Sequence, residues 1–195
     1  MKTSTTSTTY EVILKTAYRL FAEHGFDKAS MAIIAKEIGI SKPALYYHFK
    51  SKEAIIDVLF DEICKSVTFA NFFSIKQYSK DNFEEKLIAD GLSIIQSQTE
   101  DEHYSRIMHQ YQALGYRNPK YMQKLIESLD GFTTGFHELL RHGVSIGAIK
   151  DGDTLAHAQM LTMIIDGVDN FMTYGFQYRY DKIWAKTVKA IVRGE

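Results

Sequence analysis

Ile34-Ala35-Lys36-Glu37-Ile38-Gly39-Ile40-Ser41-Lys42-Pro43-Ala44-Leu45-Tyr46-Tyr47-His48-Phe49 is the stretch whose pattern decides the fold. Ile34, Ala35 and Ile38 continue an apolar helical stripe that begins at Met31, behind Ser30 as an N-cap hydroxyl. Gly39 accepts the left-handed backbone that closes a helix, and Ser41 stands where the next helix wants its cap. Lys42 and Pro43 fall in the first turn, where proline costs no hydrogen bond. Helix, glycine turn and short capped helix make a helix-turn-helix.

After Ser41, Leu45 and Phe49 are the strongly apolar pair at i, i+4 spacing, so they face the preceding helices. At ~100° per residue, Pro43 and Tyr47 then point roughly 160° and 200° from Leu45, with Ala44 and Tyr46 about 100° to either side. These four, with Lys42 at the N-terminal end, line whatever the helix is pressed against. Tyr46 and Tyr47 cannot both share the side of Leu45 and Phe49, so at least one is exposed or groove-facing. His48 lies only about 60° from the inward direction and suits packing as well as contact.

Upstream, Ile13, Leu14, Ala17, Leu20 and Phe21 set one stripe of a helix over 10–24 that Gly25 ends. Downstream, Ser51 caps a long helix with a core stripe of Ile56, Leu59, Phe60, Ile63, Val67 and Ala70. A change of role near residue 51 divides the chain into a helix-turn-helix unit, 1–51, and a larger helical unit, 52–195. The remainder reads as helices over 82–98, 101–114, 119–146 behind Asn118-Pro119, 154–174 behind Asp153, and 181–192. The expected architecture is all-α with about nine helices. Residues 1–9, rich in Ser and Thr, are expected to be mobile.

Composition agrees with a packed helical protein. Of 195 residues, 45% are apolar and 24% charged, which supports a core, and two prolines leave few forced helix stops. Cys64 is the sole cysteine, which excludes an intramolecular disulfide and a multi-thiolate metal centre and favours a reducing compartment. No apolar run approaches the ~20 residues that span a bilayer, and Met1 to Tyr10 lacks the apolar core of a signal peptide. A soluble cytoplasmic protein with no membrane partner is expected. The net charge of −1 conceals a split: residues 1–52 carry eight basic and four acidic side chains, and the rest carries the acidic excess. A polyanion would prefer the first quarter of the chain.

The run Ile13-Leu14-x-x-Ala17-x-x-Leu20-Phe21-x-x-x-Gly25-Phe26, followed by Ile34-Ala35-x-x-Ile38-Gly39-Ile40-Ser41-Lys42-Pro43-Ala44-Leu45-Tyr46-Tyr47-His48-Phe49-x-Ser51-Lys52-Glu53, resembles the DNA-binding domain of the TetR family of bacterial repressors. Spacing is kept throughout this segment, whereas the later helices fit the family only in number, length and order. The resemblance implies a homodimer, with the helix after Ser41 in the major groove of a double-stranded operator and a pocket for a small-molecule effector in the larger unit. Carried over by position, it makes Lys42, Pro43 and Ala44 base-proximal, and Tyr46, Tyr47, His48 and Lys52 phosphate or groove-wall contacts. Ser30 is implied as a further phosphate contact. The chain departs from the family at Ala29, usually threonine, and at Ala32, often polar or basic. Direct readout then rests on Lys42 and apolar contact, with DNA shape filling the gap.

An all-α enzyme is the competing class, and the sequence offers it little. In His137-Glu138-Leu139-Leu140-Arg141-His142 the second histidine stands at i+5, rotated ~140° from the first, so the two imidazoles do not share the face a zinc-protease helix requires. Glu100, Asp101 and Glu102 read as acids answering a helix N-terminus. Asp166 and Asp169, three apart in an apolar helix, would poise a proton, recognise a cationic effector or bind across a dimer seam. No metal and no cofactor is expected. A DNA-binding dimer without an effector is the first competitor, ahead of the enzyme, and it predicts a solid C-terminal unit.

The helix over 154–174 is apolar on nearly every side and needs cover all round. Met160, Ile164, Val168 and Phe171 are its candidate dimer contacts, joined by Trp184, Val188 and Ile191 of the last helix in a four-helix seam. The middle helices are rich in Tyr, Phe and Met. In most helical proteins such residues are only core; the resemblance, which implies an effector enclosed by these helices, makes Tyr104, Met108, Tyr111, Met122, Phe132, Phe136 and Met163 candidate pocket residues, with Ile63 and Val67 from the helix after Ser51. Together with these residues, the resemblance implies a repressor released from its operator by a small, largely apolar or aromatic effector.

Overall fold

The structure is a computed structural model and describes residues 8–194. Residues 1–7 and Glu195 lie outside the described residues, and with them most of the Ser/Thr-rich start. Among the described residues there are ten α-helices, a single 3₁₀ turn and no strand. The first four helices are α1 (Thr9–Lys28), α2 (Met31–Glu37), α3 (Lys42–His48) and α4 (Lys52–Ser66). Then come α5 (Phe69–Phe72), the 3₁₀ turn Ile75–Gln77, α6 (Phe83–Glu100), α7 (Tyr104–Gly115) and α8 (Pro119–Ser145). The chain closes with α9 (Thr154–Thr173) and α10 (Tyr180–Arg193).

Side-chain caps start the helices where the sequence places them. Ser30, Ser41 and Ser51 each accept a backbone N–H of the following turn, from Ile33, Ala44 and Ala54. Asn118 and Asp153 do the same for α8 and α9. Gly25 breaks the first helix at φ 82°, and Gly39 turns the chain between α2 and α3 at φ 72°. The first helix begins earlier than its apolar stripe suggests, because Thr8 and Glu11 form a reciprocal capping box.

The helix after Ser51 does not run to Ala70 as its stripe suggests. It stops at Ser66, and the Asn71 side-chain amide donates to the carbonyls of Lys65 at 3.0 Å and Ser66 at 2.8 Å, satisfying the helix end. The break drops Phe69 and Phe73 into the larger core, where they stack on each other and meet Phe136 edge-on at 5.2 and 4.9 Å. Gly135 makes room, since a Cβ there would lie 2.2 Å from the Phe69 ring.

Two cores result. The first joins the inner faces of α1 to α4 with Ile107, Tyr111 and Tyr121 from α7 and α8, so it extends past residue 51 into the larger unit. Hydrogen bonds reinforce that junction: Tyr111 Oη donates to the Ile56 carbonyl at 2.8 Å, and Tyr121 Oη to Asp57 at 2.6 Å. Lys120 pairs with Asp57 at 2.7 Å, and Lys124 with Asp61. Burial alone would push the Asp57 carboxyl up, but Lys120 and Tyr121 more than offset it and hold its pKa below the ordinary value. The second core lies among α5, α6, α8, α9 and α10 around Trp184, whose indole N–H donates to the Leu87 and Ile88 carbonyls of α6.

Candidate functional site

The short α3 is held from behind. Leu45 is fully buried, and Phe49, the residue that closes the helix, is buried against Tyr10, whose ring stacks on it at 5.0 Å. With that side fixed, the other side faces outward: Lys42, Pro43 and Ala44 are exposed, Tyr46 is 44% exposed and Tyr47 80%. His48 is half-buried and meets the Tyr47 ring edge-on at 5.4 Å. Ser30 opens the neighbouring helix on the exposed surface. Lysine and two tyrosines on one convex helical face suit a phosphate-lined groove and its base edges.

Lys52 is placed differently from the residues of α3. Its ammonium donates to the Phe26 carbonyl at 2.6 Å, bracing the connection between α1 and α2. The side chain is half-buried, and this bond ties the start of α4 to the turn that follows Gly25.

The larger unit contains a cavity of about 400 Å³ walled by α6, α7, α8 and α9. Val67, Tyr104, Met108, Met122 and Phe132, five of the nine candidate pocket residues, line it. The other four do not. Tyr111 and Phe136 are fully buried in the first and second cores, and Ile63 packs in the first. Met163 is 72% exposed on the outer side of α9. Aromatic content marks a residue as buried, but it does not say whether neighbours or a void cover the ring.

The cavity also holds Asp166, singled out above as an acid in an apolar helix, and three residues that an apolar pattern could not single out: Gln98, Gln112 and Asn170. Gln98 Oε1 is buried and has no hydrogen-bond partner among the described residues. Beside the cavity, Asp169 is buried and accepts a hydrogen bond from Ser105, and His109 Nε2 lies 3.1 Å from Asn170 Oδ1. Burial pushes both Asp166 and Asp169 above the ordinary carboxyl range; for Asp166 the charge of Asp169 adds to it, and for Asp169 Ser105 and His109 counter it.

The candidate dimer residues divide. Trp184, Val188, Ile191 and Val168 are buried inside their own chain, correcting their assignment to a seam between subunits. An amphipathic helix has one strongly apolar face, and α6 occupies that of α10: the Trp184 ring lies where a Cβ on Gly91 would come within 2.0 Å. Met160 and Phe171 are exposed, Ile164 is half-buried, and together with Met163 and the exposed Ile183 of α10 they leave an apolar strip on the outside of the subunit.

The sequence profile of "Bacterial regulatory proteins, tetR family" matches residues 13–59, the segment that builds α1 to α3 and the start of α4. The fatty acid metabolism regulator protein of Bacillus subtilis (strain 168) is 29% identical over 162 residues, covering 80% of this chain and 79% of its own length. Over residues 13–59 the chain is similar in sequence to the TetR-family DNA-binding domain. Among solved structures the likeness extends over most of the chain. The transcriptional regulator FadR from Bacillus subtilis, solved in complex with stearoyl-CoA, aligns over 95% of this chain and 99% of its own at 26% identity and a TM-score of 0.69. A TetR regulator from Haloarcula marismortui, at 19% identity, shares the fold with a TM-score of 0.76 over 95% of this chain and 96% of its own.

The proteins to which this chain is similar are DNA-binding transcriptional regulators, a family that is not enzymatic. Among the described residues no three His, Cys, Asp or Glu side chains are grouped to hold a metal, and His142 of the histidine-bearing helix is spent on the Tyr78 carbonyl at 3.1 Å. No described helix is long and apolar enough to cross a membrane.

Proposed function

We propose that this regulator is a cytoplasmic, homodimeric repressor that two copies of α3 hold on a double-stranded operator and that a small, largely apolar effector in the α6–α9 cavity releases. The observation that carries the DNA contact is the outward face of α3: Lys42, Pro43, Ala44, Tyr46 and Tyr47 stand clear of the protein because Leu45 and Phe49 seat the helix from behind. Ser30 and His48 extend that contact set at its edges. Two such faces read two half-sites about 34–36 Å apart, and the apolar strip of Met160, Ile164 and Phe171 supplies the surface for pairing. The cavity supports effector control over the alternative of a regulator with a solid C-terminal unit. Its wall residue Tyr104 is on the same helix as Tyr111, which bonds to α4, so occupancy has a short route to the DNA-binding helices.

Selection of bound duplexes from a random pool by the purified protein, followed by sedimentation of the complex, tests the proposal. A two-fold symmetric consensus bound by two chains is expected. Recovery of no consensus, or a strictly monomeric protein, overturns it.

A further inference from the structure

The cavity's polar wall is not what an anionic ligand needs. No lysine, arginine or histidine lines it, whereas Asp166 does, and Asp166 has no ion-pair partner among the described residues. The two lysines of α8, Lys120 and Lys124, are not among the cavity's lining residues and pair with Asp57 and Asp61. The unpartnered buried acceptor Gln98 Oε1 adds a second group that wants a donor. Apart from the neutral Gln112, Ser128, Thr162 and Asn170, the rest of the wall is apolar or aromatic, with Tyr104, Phe132 and the exposed Tyr116 among its rings. Ring faces attract cations, and buried unpaired carboxylates and acceptors are costly until something neutralises or bonds them. We infer that the cavity takes a small apolar cation, its alkyl or aryl body against the aromatic and methionine walls and its single positive charge beside Asp166. This refines the effector-controlled reading above and rests on it.

The charged and titratable groups around Asp166 fit one positive charge. Asp169, on the same helix, is already bonded to Ser105 and faces His109, and Tyr104 of α7 is held in its neutral form by burial and by both carboxylates. An arriving cation restores the environment that desolvation removes from Asp166. A carboxylate or phosphate ligand would instead meet like charge with no cationic side chain in the wall to compensate.

Full-length protein titrated with decylamine, decyltrimethylammonium, decanol, decanoate and decanoyl-CoA, read by calorimetry and thermal unfolding, tests the inference. Both cations are expected to bind on the order of tenfold more tightly than decanol, and the two anions more weakly than decanol. Asp166→Asn should erase the advantage of the cations and leave decanol unchanged. The same advantage in the unaltered protein should grow as pH rises through the Asp166 titration, a readout that needs no variant. Decanoate or decanoyl-CoA binding as tightly as the amines, cations no better than decanol, or no probe binding at all would each overturn the inference. The broader reading fails on another readout, a protein that binds no duplex or whose operator complex no ligand loosens.

Discussion

Replacing Leu45 and Tyr47 one at a time by alanine separates the inside of α3 from its outside. Leu45 is fully buried, so Leu45→Ala removes three carbons from the interior of the first core. At ~0.8 kcal/mol per methylene the transfer loss is about 2.4 kcal/mol, and the void left behind raises the total to about 3–5 kcal/mol. Because α3 has only seven residues, it has little helical stability of its own and depends on this seat. Tyr47 is 80% exposed, so Tyr47→Ala should change stability by no more than ~0.5 kcal/mol. Its loss from the DNA contact should cost about 1–3 kcal/mol of binding, roughly 5- to 150-fold in affinity. Urea unfolding followed by circular dichroism, and anisotropy of a labelled duplex taken from the selected pool, read the two quantities on the same samples. Loss of stability without loss of affinity for Tyr47→Ala, or the reverse for Leu45→Ala, would refute the assignment of the two faces.

Three further outcomes are expected. Lys52→Met should lower stability by about 1.5 kcal/mol by removing a charge-assisted bond to the Phe26 carbonyl; unchanged stability with a salt slope flattened by about 0.9 would show the ammonium spent on a phosphate instead. Asp169→Asn should raise the melting temperature at pH 7.5 and leave it nearly unchanged at pH 4. The folded-state pKa of Asp169 is raised, so the native protein binds the proton more tightly than the unfolded chain, and stability falls as pH climbs from the unfolded carboxyl pKa through the raised value. A melting temperature that drops at pH 7.5 would mean that Ser105 and His109 outweigh the burial. Gly91→Ala should cost about 3 kcal/mol or more, because a Cβ there falls 2.0 Å from the Trp184 ring and the indole cannot move without breaking its bonds to α6. A soluble variant with unchanged melting temperature would refute that packing.

Local signals made the N-terminal unit legible. Ser30, Gly39, Ser41 and Ser51 act within three or four residues of themselves, so the caps and the left-handed turn follow from residue type and spacing, and Leu45 with Phe49 then fixes which face of α3 looks out. The break at Val67 is not legible, because Asn71 and Phe73 act on it from beyond the stripe, and Gly135 from α8 nearly seventy residues further on. The same limit explains the larger unit. Trp184, Val188 and Ile191 announce a covered face, but whether α6 of the same chain or a second chain covers it depends on contacts a hundred residues apart. Asp166 and Asp169 were visible as acids in an apolar helix, and only the packing of α7 against α9 separates them into one carboxylate bonded to Ser105 and one left facing the cavity.

The seating of α10 bears on how subunits would part. Trp184 is bolted to α6 by two carbonyls, and Arg193 clasps Glu84 with two bonds at 2.9 and 2.7 Å, so the final helix stays with its own chain. An associated pair built on the outer strip can therefore come undone without either polypeptide unravelling. Differently tagged preparations mixed at low concentration would trade members far faster than they denature.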